Sequence, residues 1–265
     1  MISYPVGVAS VVTRIIEAGE GDDVIVLVHG AASRADRWIH NVSRLAAQGL
    51  HVYALDLPGH GFATKDPSAT HSSPSYADFV CGLLERIPRR RLVLVGTSIG
   101  AHVVAMVACQ VPTAGLVLVG AAGLVRLGDS VTAPMAERIS DTRKDAVARK
   151  LTRLALAGSG EMVDEEWRIN NSPGAAECLA RLGGYIRDAL DDDLVDVTET
   201  ACRNVLLIWG EDDNSIPVEV GRRAQQQIAH AQLEVIRGAG HVPYWEQADS
   251  FHQVLDPWLA SVLAS

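Results

Sequence analysis

Short apolar runs recur along the chain at Val24–Val28, Val52–Leu55, Leu92–Val95, Leu116–Val119, Val205–Trp209 and Leu233–Ile236. They are too short for core helices, rich in β-branched residues, and as a set show no alternation of polar with apolar. That is the pattern of parallel strands covered on both faces. Helix-like stretches separate them: Ala35–Ala47, Tyr76–Ile87, Ile99–Ala108, Val218–Ile228 and Ser250–Val262. Strand alternating with helix implies right-handed βαβ crossovers and an open sheet. Ahead of these, Val8–Ala18 reads as a first strand or hairpin, ended by Gly19-Glu20-Gly21.

The rhythm breaks once. From Leu124 to Glu199 no strand-like run occurs; amphipathic stretches at Ala133–Gly158, Glu161–Ile169 and Ala175–Leu190 take its place, punctuated by Gly158-Ser159-Gly160 and Ser172-Pro173-Gly174. The strand pattern resumes at Val205. The expected architecture is therefore α/β: a mostly parallel, doubly wound core from residues 1–123 and 200–265, with residues 124–199 inserted as a helical lid. Apolar Met135, Ile139, Leu151, Leu154, Met162 and Trp167 in that block either line a pocket or pack it onto the sheet.

Composition narrows the class without changing the picture. The chain has 265 residues, 48% apolar and 21% charged, as ordinary globular proteins do. Its 32 acidic against 23 basic residues give a net charge of -9, which argues against a nucleic-acid partner. The start, Met1-Ile2-Ser3-Tyr4-Pro5, lacks a signal peptide's basic and apolar regions, and no run reaches the length of a membrane span. Cys81, Cys109, Cys178 and Cys202 show neither metal spacing nor a disulfide framework, and read as buried thiols. The expectation is a cytoplasmic protein with a small-molecule substrate, no cofactor, no metal and no membrane partner, with homo-oligomerisation left open. The acidic triplet Asp191-Asp192-Asp193 reads as a solvated loop rather than a cation site.

Gly96-Thr97-Ser98-Ile99-Gly100 follows one strand-like run and precedes a helix-like stretch, the context a G-x-S-x-G turn requires. Glycines two before and two after the serine allow a tight turn that lifts the hydroxyl to a helix N-terminus. A serine needs a base, itself oriented by a third group. Among nine histidines, His241 stands in the glycine-rich loop Gly238-Ala239-Gly240-His241-Val242-Pro243 after the last strand-like run. His40, His51, His71, His230 and His252 read as surface positions, and His102 as packing behind the turn. Acid candidates are the adjacent Asp212 and Asp213, just after Trp209. None directly follows Leu116–Val119, where Gly120-Ala121-Ala122 stands. An oxyanion needs two donors. Ile99 is one candidate, and Ala31, in His29-Gly30-Ala31-Ala32, is the other; His29 reads as a loop-holding residue.

The ordered set Ile16-Glu17-Ala18-Gly19-Glu20-Gly21, Leu27-Val28-His29-Gly30, Leu55-Asp56-Leu57-Pro58-Gly59-His60-Gly61, Gly96-Thr97-Ser98-Ile99-Gly100, Trp209-Gly210-Glu211-Asp212-Asp213 and Gly240-His241-Val242-Pro243 resembles the α/β-hydrolase fold family over nearly the whole chain. That resemblance implies a Ser98–Asp213–His241 triad, since the family places its acid four residues before the proline, here Pro217. It also supports Ala31 and Ile99 as oxyanion donors. Within the family, Asp164 to Phe251 is most similar to hydrolases that cleave a carbon–carbon bond in meta-cleavage products. There a lid arginine binds the substrate, and Arg168 matches it, with a fork suited to a carboxylate. Two departures stand out. Val242 follows the histidine where that subfamily commonly has Trp, and Ala31-Ala32-Ser33-Arg34 replaces a glycine-rich loop. The broader similarity covers carboxylesterases, lactonases and perhydrolases. Trp38, Trp245 and Val242 are candidate pocket walls. The alternatives are a non-hydrolytic enzyme on the same fold (lyase, perhydrolase or cyclase) and a ligand receptor with a silent triad.

Overall fold

A computed structural model of the chain describes residues 1–154, 156, 160–190 and 194–264. The strands are β1 (Ile2–Val8), β2 (Val11–Ala18), β3 (Asp23–Val28), β4 (His51–Leu55), β5 (Arg91–Thr97), β6 (Gly115–Val119), β7 (Val205–Gly210) and β8 (Ala231–Ile236). They form one sheet in the order β1-β2-β4-β3-β5-β6-β7-β8. From β4 to β8 every pairing is parallel; β2 runs antiparallel to both β1 and β4. The expected first element is thus a hairpin, reaching back to Ile2.

Helices cover both faces. After a 3-10 turn at Ala35–Trp38 come α1 (Ile39–Ala46), α2 (Ser73–Leu84) and α3 (Ile99–Ala108). Val24, Val26 and Val28 of β3 pack on the side of α2 and α3, whereas Ile25 and Leu27 pack on the side of α1. These five side chains are fully buried. Burial contributes roughly 1.5–3 kcal/mol for each such side chain, which is why the strand is an unbroken apolar run. β8 departs from that reading: at the sheet edge its Gln232 and Glu234 face water.

Between β6 and β7 lie α4 (Asp129–Ser140), α5 (Lys144–Arg153), α6 (Gly160–Asn170), α7 (Ala175–Ala189) and α8 (Val195–Ala201); after β7 come α9 (Val218–Gln227), α10 (Pro243–Glu246) and α11 (Ala248–Ala264). The stretch read as one helix from Ala133 is two. α4 ends where Asp141 turns extended, and the Asp141 carboxylate accepts from the Arg143 N–H at 3.2 Å. An aspartate that bonds its own backbone competes with the helix ladder there. Gly158, Ser159 and the triplet Asp191-Asp192-Asp193 lie outside the described residues.

Three smaller expectations are corrected. Cys109 is exposed, so not all the free thiols are buried. His71 is buried, hydrogen-bonded to the Asp66 carbonyl at 2.9 Å and the Tyr76 hydroxyl at 3.2 Å. His252 is buried on α11 and pairs with Asp256 at 2.7 Å, an i,i+4 contact that lets a helix swallow a polar ring. Among the described residues no helix is long and apolar enough to cross a membrane.

Candidate active site

The carboxyl ends of the parallel strands build a cleft. Ser98 lines it from the sharp turn between β5 and α3, with φ +56° and ψ -123°. A non-glycine residue there is strained, and neighbouring contacts hold it. The Ser98 N–H donates to the Val119 carbonyl at 2.9 Å, and the Ser98 carbonyl accepts from Ala122 N–H at 3.2 Å. The flanking glycines have steric causes. A Cβ at Gly96 would lie 2.2 Å from the Gly100 carbonyl oxygen, and one at Gly100 would lie 2.4 Å from that of His29. No side chain fits either place.

His241 follows β8, and its Nδ1 lies 2.7 Å from Asp213 Oδ2. Both residues are buried, and His241 lines the cleft with Ser98. The other Asp213 oxygen accepts from the Ser215 and Ile216 N–H groups at 2.8 and 2.9 Å. Trp209 Nε1 donates to the Ile216 carbonyl at 3.0 Å and fixes that turn to the end of β7. Asp213 is thus a fully ligated carboxylate with one oxygen on the imidazole, while Asp212 points into solvent. Gly120, at φ +49°, leaves room for the pair: a Cβ there would lie 3.2 Å from both Asp213 Oδ2 and His241 Nδ1. The strand that lacks an acid at its end is the one whose end abuts this pair.

Glu246 was not singled out from the sequence. Its carboxylate accepts from Gly240 N–H at 2.7 Å and Val242 N–H at 3.0 Å, holding the backbone on each side of His241. The only trace of it in the sequence is a carboxylate in the first turn after Pro243, where helix N-termini favour acids.

The loop after β3 presses on Ser98 from the other side; a Cβ at Gly30 would lie 3.1 Å from Ser98 Cβ. His29 is fully buried, and burial takes its pKa down to about 4. Its Nε2 accepts from Leu57 N–H at 3.0 Å, so Nδ1 carries the proton and donates to the Gly30 carbonyl at 2.7 Å. That carbonyl and the Ala31 N–H belong to one planar trans peptide and point opposite ways. His29 therefore sets the direction of the Ala31 N–H. Ala31 lines the cleft, and Ile99 is the first residue of α3.

The remaining candidates divide. Val242 lines the cleft. Trp38 does not: it is fully buried and stacks on Tyr244 at 3.9 Å between ring centroids, and Tyr244 is the aromatic residue in the wall. Trp245 is also absent from the lining and sits under the Arg37 guanidinium at 5.6 Å. Arg168 is exposed on α6, away from the lining. The cations that do line it are Arg37, Lys150, Arg138 and Arg153. Met135, Ile139 and Leu154 add apolar wall, whereas Leu151, Met162 and Trp167 pack into the core behind it. His102 lies away from the cleft, buried against Gly123, and burial lowers its pKa to about 4.

A model of the alpha/beta hydrolase family matches residues 25–254. The chain is 26% identical over 260 residues to a 2-hydroxy-6-oxononadienedioate/2-hydroxy-6-oxononatrienedioate hydrolase from Pseudomonas sp., spanning 92% of this chain and 90% of that protein. Among solved structures, a meta-cleavage product hydrolase from Pseudomonas fluorescens IP01 superposes with a TM-score of 0.84 at 24% identity, covering 97% of each chain. A thermophilic esterase from Thermogutta terrifontis gives 0.79 at 22% identity over 99% of each.

Proposed function

Since the chain belongs to the alpha/beta hydrolase family, we propose that it is a cofactor-independent serine hydrolase acting on an ester, a lactone or an activated ketone. His241 takes the Ser98 proton through Nε2, and Ser98 attacks the carbonyl carbon. The Ala31 and Ile99 N–H groups bind the oxyanion as it forms. Asp213 orients His241 and stabilises the imidazolium. His241 then protonates the leaving group, and water, activated by the same histidine, releases the acid. The observation that carries this reading is the 2.7 Å His241–Asp213 contact in the cleft that Ser98 enters from a strained turn.

Helices α4 to α8, from Asp129 to Ala201, act in this reading as a lid that selects substrate. Arg138 and Arg153 line the cleft and make no salt bridge among the described residues; the carboxylate that acts on Arg138 through space is Glu137. Burial lowers the pKa of both. They take over the anchoring role that the family resemblance gives to Arg168. That favours a substrate bearing a carboxylate, and with it the carbon–carbon reading suggested by the dienedioate hydrolase relative. In that case His241 also assists ketonisation of the dienol before Ser98 attacks.

A panel of p-nitrophenyl esters, lactones and dienone acids, run on the wild type and on Ser98→Ala, tests this. The expected result is turnover that disappears in Ser98→Ala while the fold is kept. Adding Arg138→Gln and Arg153→Gln separates the substrate classes. Each substitution raises KM for carboxylate-bearing substrates about tenfold and leaves neutral esters unchanged, as loss of one charge-assisted contact of about 1.5 kcal/mol requires. Turnover that survives Ser98→Ala refutes the proposal.

A further inference from the structure

Three cations beside the loop after β3 converge on one buried carboxylate of the inserted helices. Glu166 of α6 is 1% exposed. Its Oε2 accepts from Arg34 Nη1 at 2.7 Å and Arg37 Nη2 at 2.8 Å, and its Oε1 accepts from Lys150 Nζ of α5 at 2.8 Å. Arg34 is shared further with Asp36 at 2.9 Å and Glu165 at 2.7 Å. Burial alone raises a carboxyl pKa, but Lys150, Arg37 and Arg34 together outweigh it and bring Glu166 to about 2. The carboxylate is ionised at neutral pH.

Lys150 makes one more contact. Its ammonium donates to the carbonyl of Ala32, a buried residue at φ +49°. Alanine at positive φ costs about 1–3 kcal/mol unless its surroundings impose it. Ala31 is therefore bracketed. His29 holds the Gly30 carbonyl on one side, and Lys150 holds the Ala32 carbonyl on the other.

We propose that Lys150, anchored by Glu166, is a positioning residue for the Ala31 oxyanion donor, so that seating α5 and α6 on the Arg34–Arg37 segment and aiming that donor are one event. This rests on the serine-hydrolase reading above. A donor aimed at the developing oxyanion is worth about 100- to 1,000-fold in kcat. A misaimed donor forfeits part of that factor. Lys150 neither takes nor gives a proton in the reaction.

The test uses Lys150→Met in the full chain. Glu166 keeps its two arginines in that variant, so no buried charge is left unpaired. Two constants are read on one p-nitrophenyl ester: kcat/KM, and the affinity of a trifluoromethyl ketone that adds to Ser98 and forms an oxyanion. The affinity of the neutral ether analogue of that ester, which has no carbonyl, reports binding without an oxyanion. The expected outcome is a fall of about 10- to 100-fold in both kcat/KM and ketone affinity, with ether affinity unchanged. A purely structural lysine moves stability and leaves the ketone affinity where it was. Lys150→Gln, one bond too short to reach the Ala32 carbonyl, is read in the same way should Lys150→Met melt below assay temperature. Wild-type ketone affinity in either folded variant overturns the proposal. Ser98→Ala run alongside keeps the two claims apart. If it retains turnover, the serine-hydrolase reading fails; if it is inert while the Lys150 variants match wild type, only this inference fails.

Discussion

Replacing Glu246 by Ala removes two hydrogen bonds, from Gly240 N–H at 2.7 Å and from Val242 N–H at 3.0 Å, that flank His241. Hydrogen bonds to a charged acceptor contribute about 1.5–3 kcal/mol each. Glu246 is only partly buried, so the lower figure applies, and the pair is worth about 3 kcal/mol. If the whole loss appears in the position of the imidazole, kcat falls by a factor on the order of 100. If it appears only in stability, Tm falls by about 6–12 °C for a chain of this size. The Asp213–His241 bond remains in the variant and should absorb part of the displacement, so a split is expected: kcat down about tenfold, Tm down a few degrees, KM unchanged. Steady-state kinetics on a neutral p-nitrophenyl ester and differential scanning calorimetry measure the two parts. A folded Glu246→Ala protein with wild-type kcat would refute the reasoning, because the loop would then hold His241 without its carboxylate.

Asp213→Asn keeps the shape of the site but favours the wrong imidazole tautomer. A fall in kcat of about 10⁴-fold is expected at pH 7 with little change in KM. His102→Leu removes a buried ring with neither nitrogen hydrogen-bonded among the described residues; urea titration at pH 7 should show a gain of about 1 kcal/mol, and a loss contradicts the packing account. The acid limb of the stability curve carries a sign. His29 and His102 have folded pKa values of about 4, below the ordinary 6.5, because burial disfavours the charged form. The unfolded chain therefore binds more protons between those values, and stability is full above pH 6.5 and lost as pH falls toward 4. Each ring contributes up to about 1.4 kcal/mol per pH unit within that window. Urea titrations from pH 7 to 5 should show His102→Leu with the shallower slope; equal slopes contradict the assignment.

The sheet was legible because its signal is local. Five-residue runs such as Val24–Val28 are apolar on both faces, and in the structure both faces are covered. Ser98 was legible for the same reason, since the glycines at 96 and 100 are required by contacts only a few residues away or on the adjoining strand end. What escaped depends on which helix side chain meets which loop. Lys150 and Glu166 are 118 and 134 residues from Ala32, and nothing in their own neighbourhoods marks them. The family resemblance pointed to Arg168 and gave no sign of Arg138 or Arg153: in the structure Arg168 is exposed on α6, and the folded arrangement of α4 and α5 is what brings the other two to the cleft. Trp38 was misplaced in the opposite sense: its size suggested a wall, but its ring is spent stacking on Tyr244.

The central claim is that Ser98 is the nucleophile. Covalent labelling with a fluorophosphonate, followed by mass spectrometry of the digested protein, tests it most directly. The account predicts one adduct per chain, on the peptide carrying Gly96-Thr97-Ser98-Ile99-Gly100, and none in Ser98→Ala. An unmodified protein, or an adduct that persists on another residue in Ser98→Ala, contradicts it.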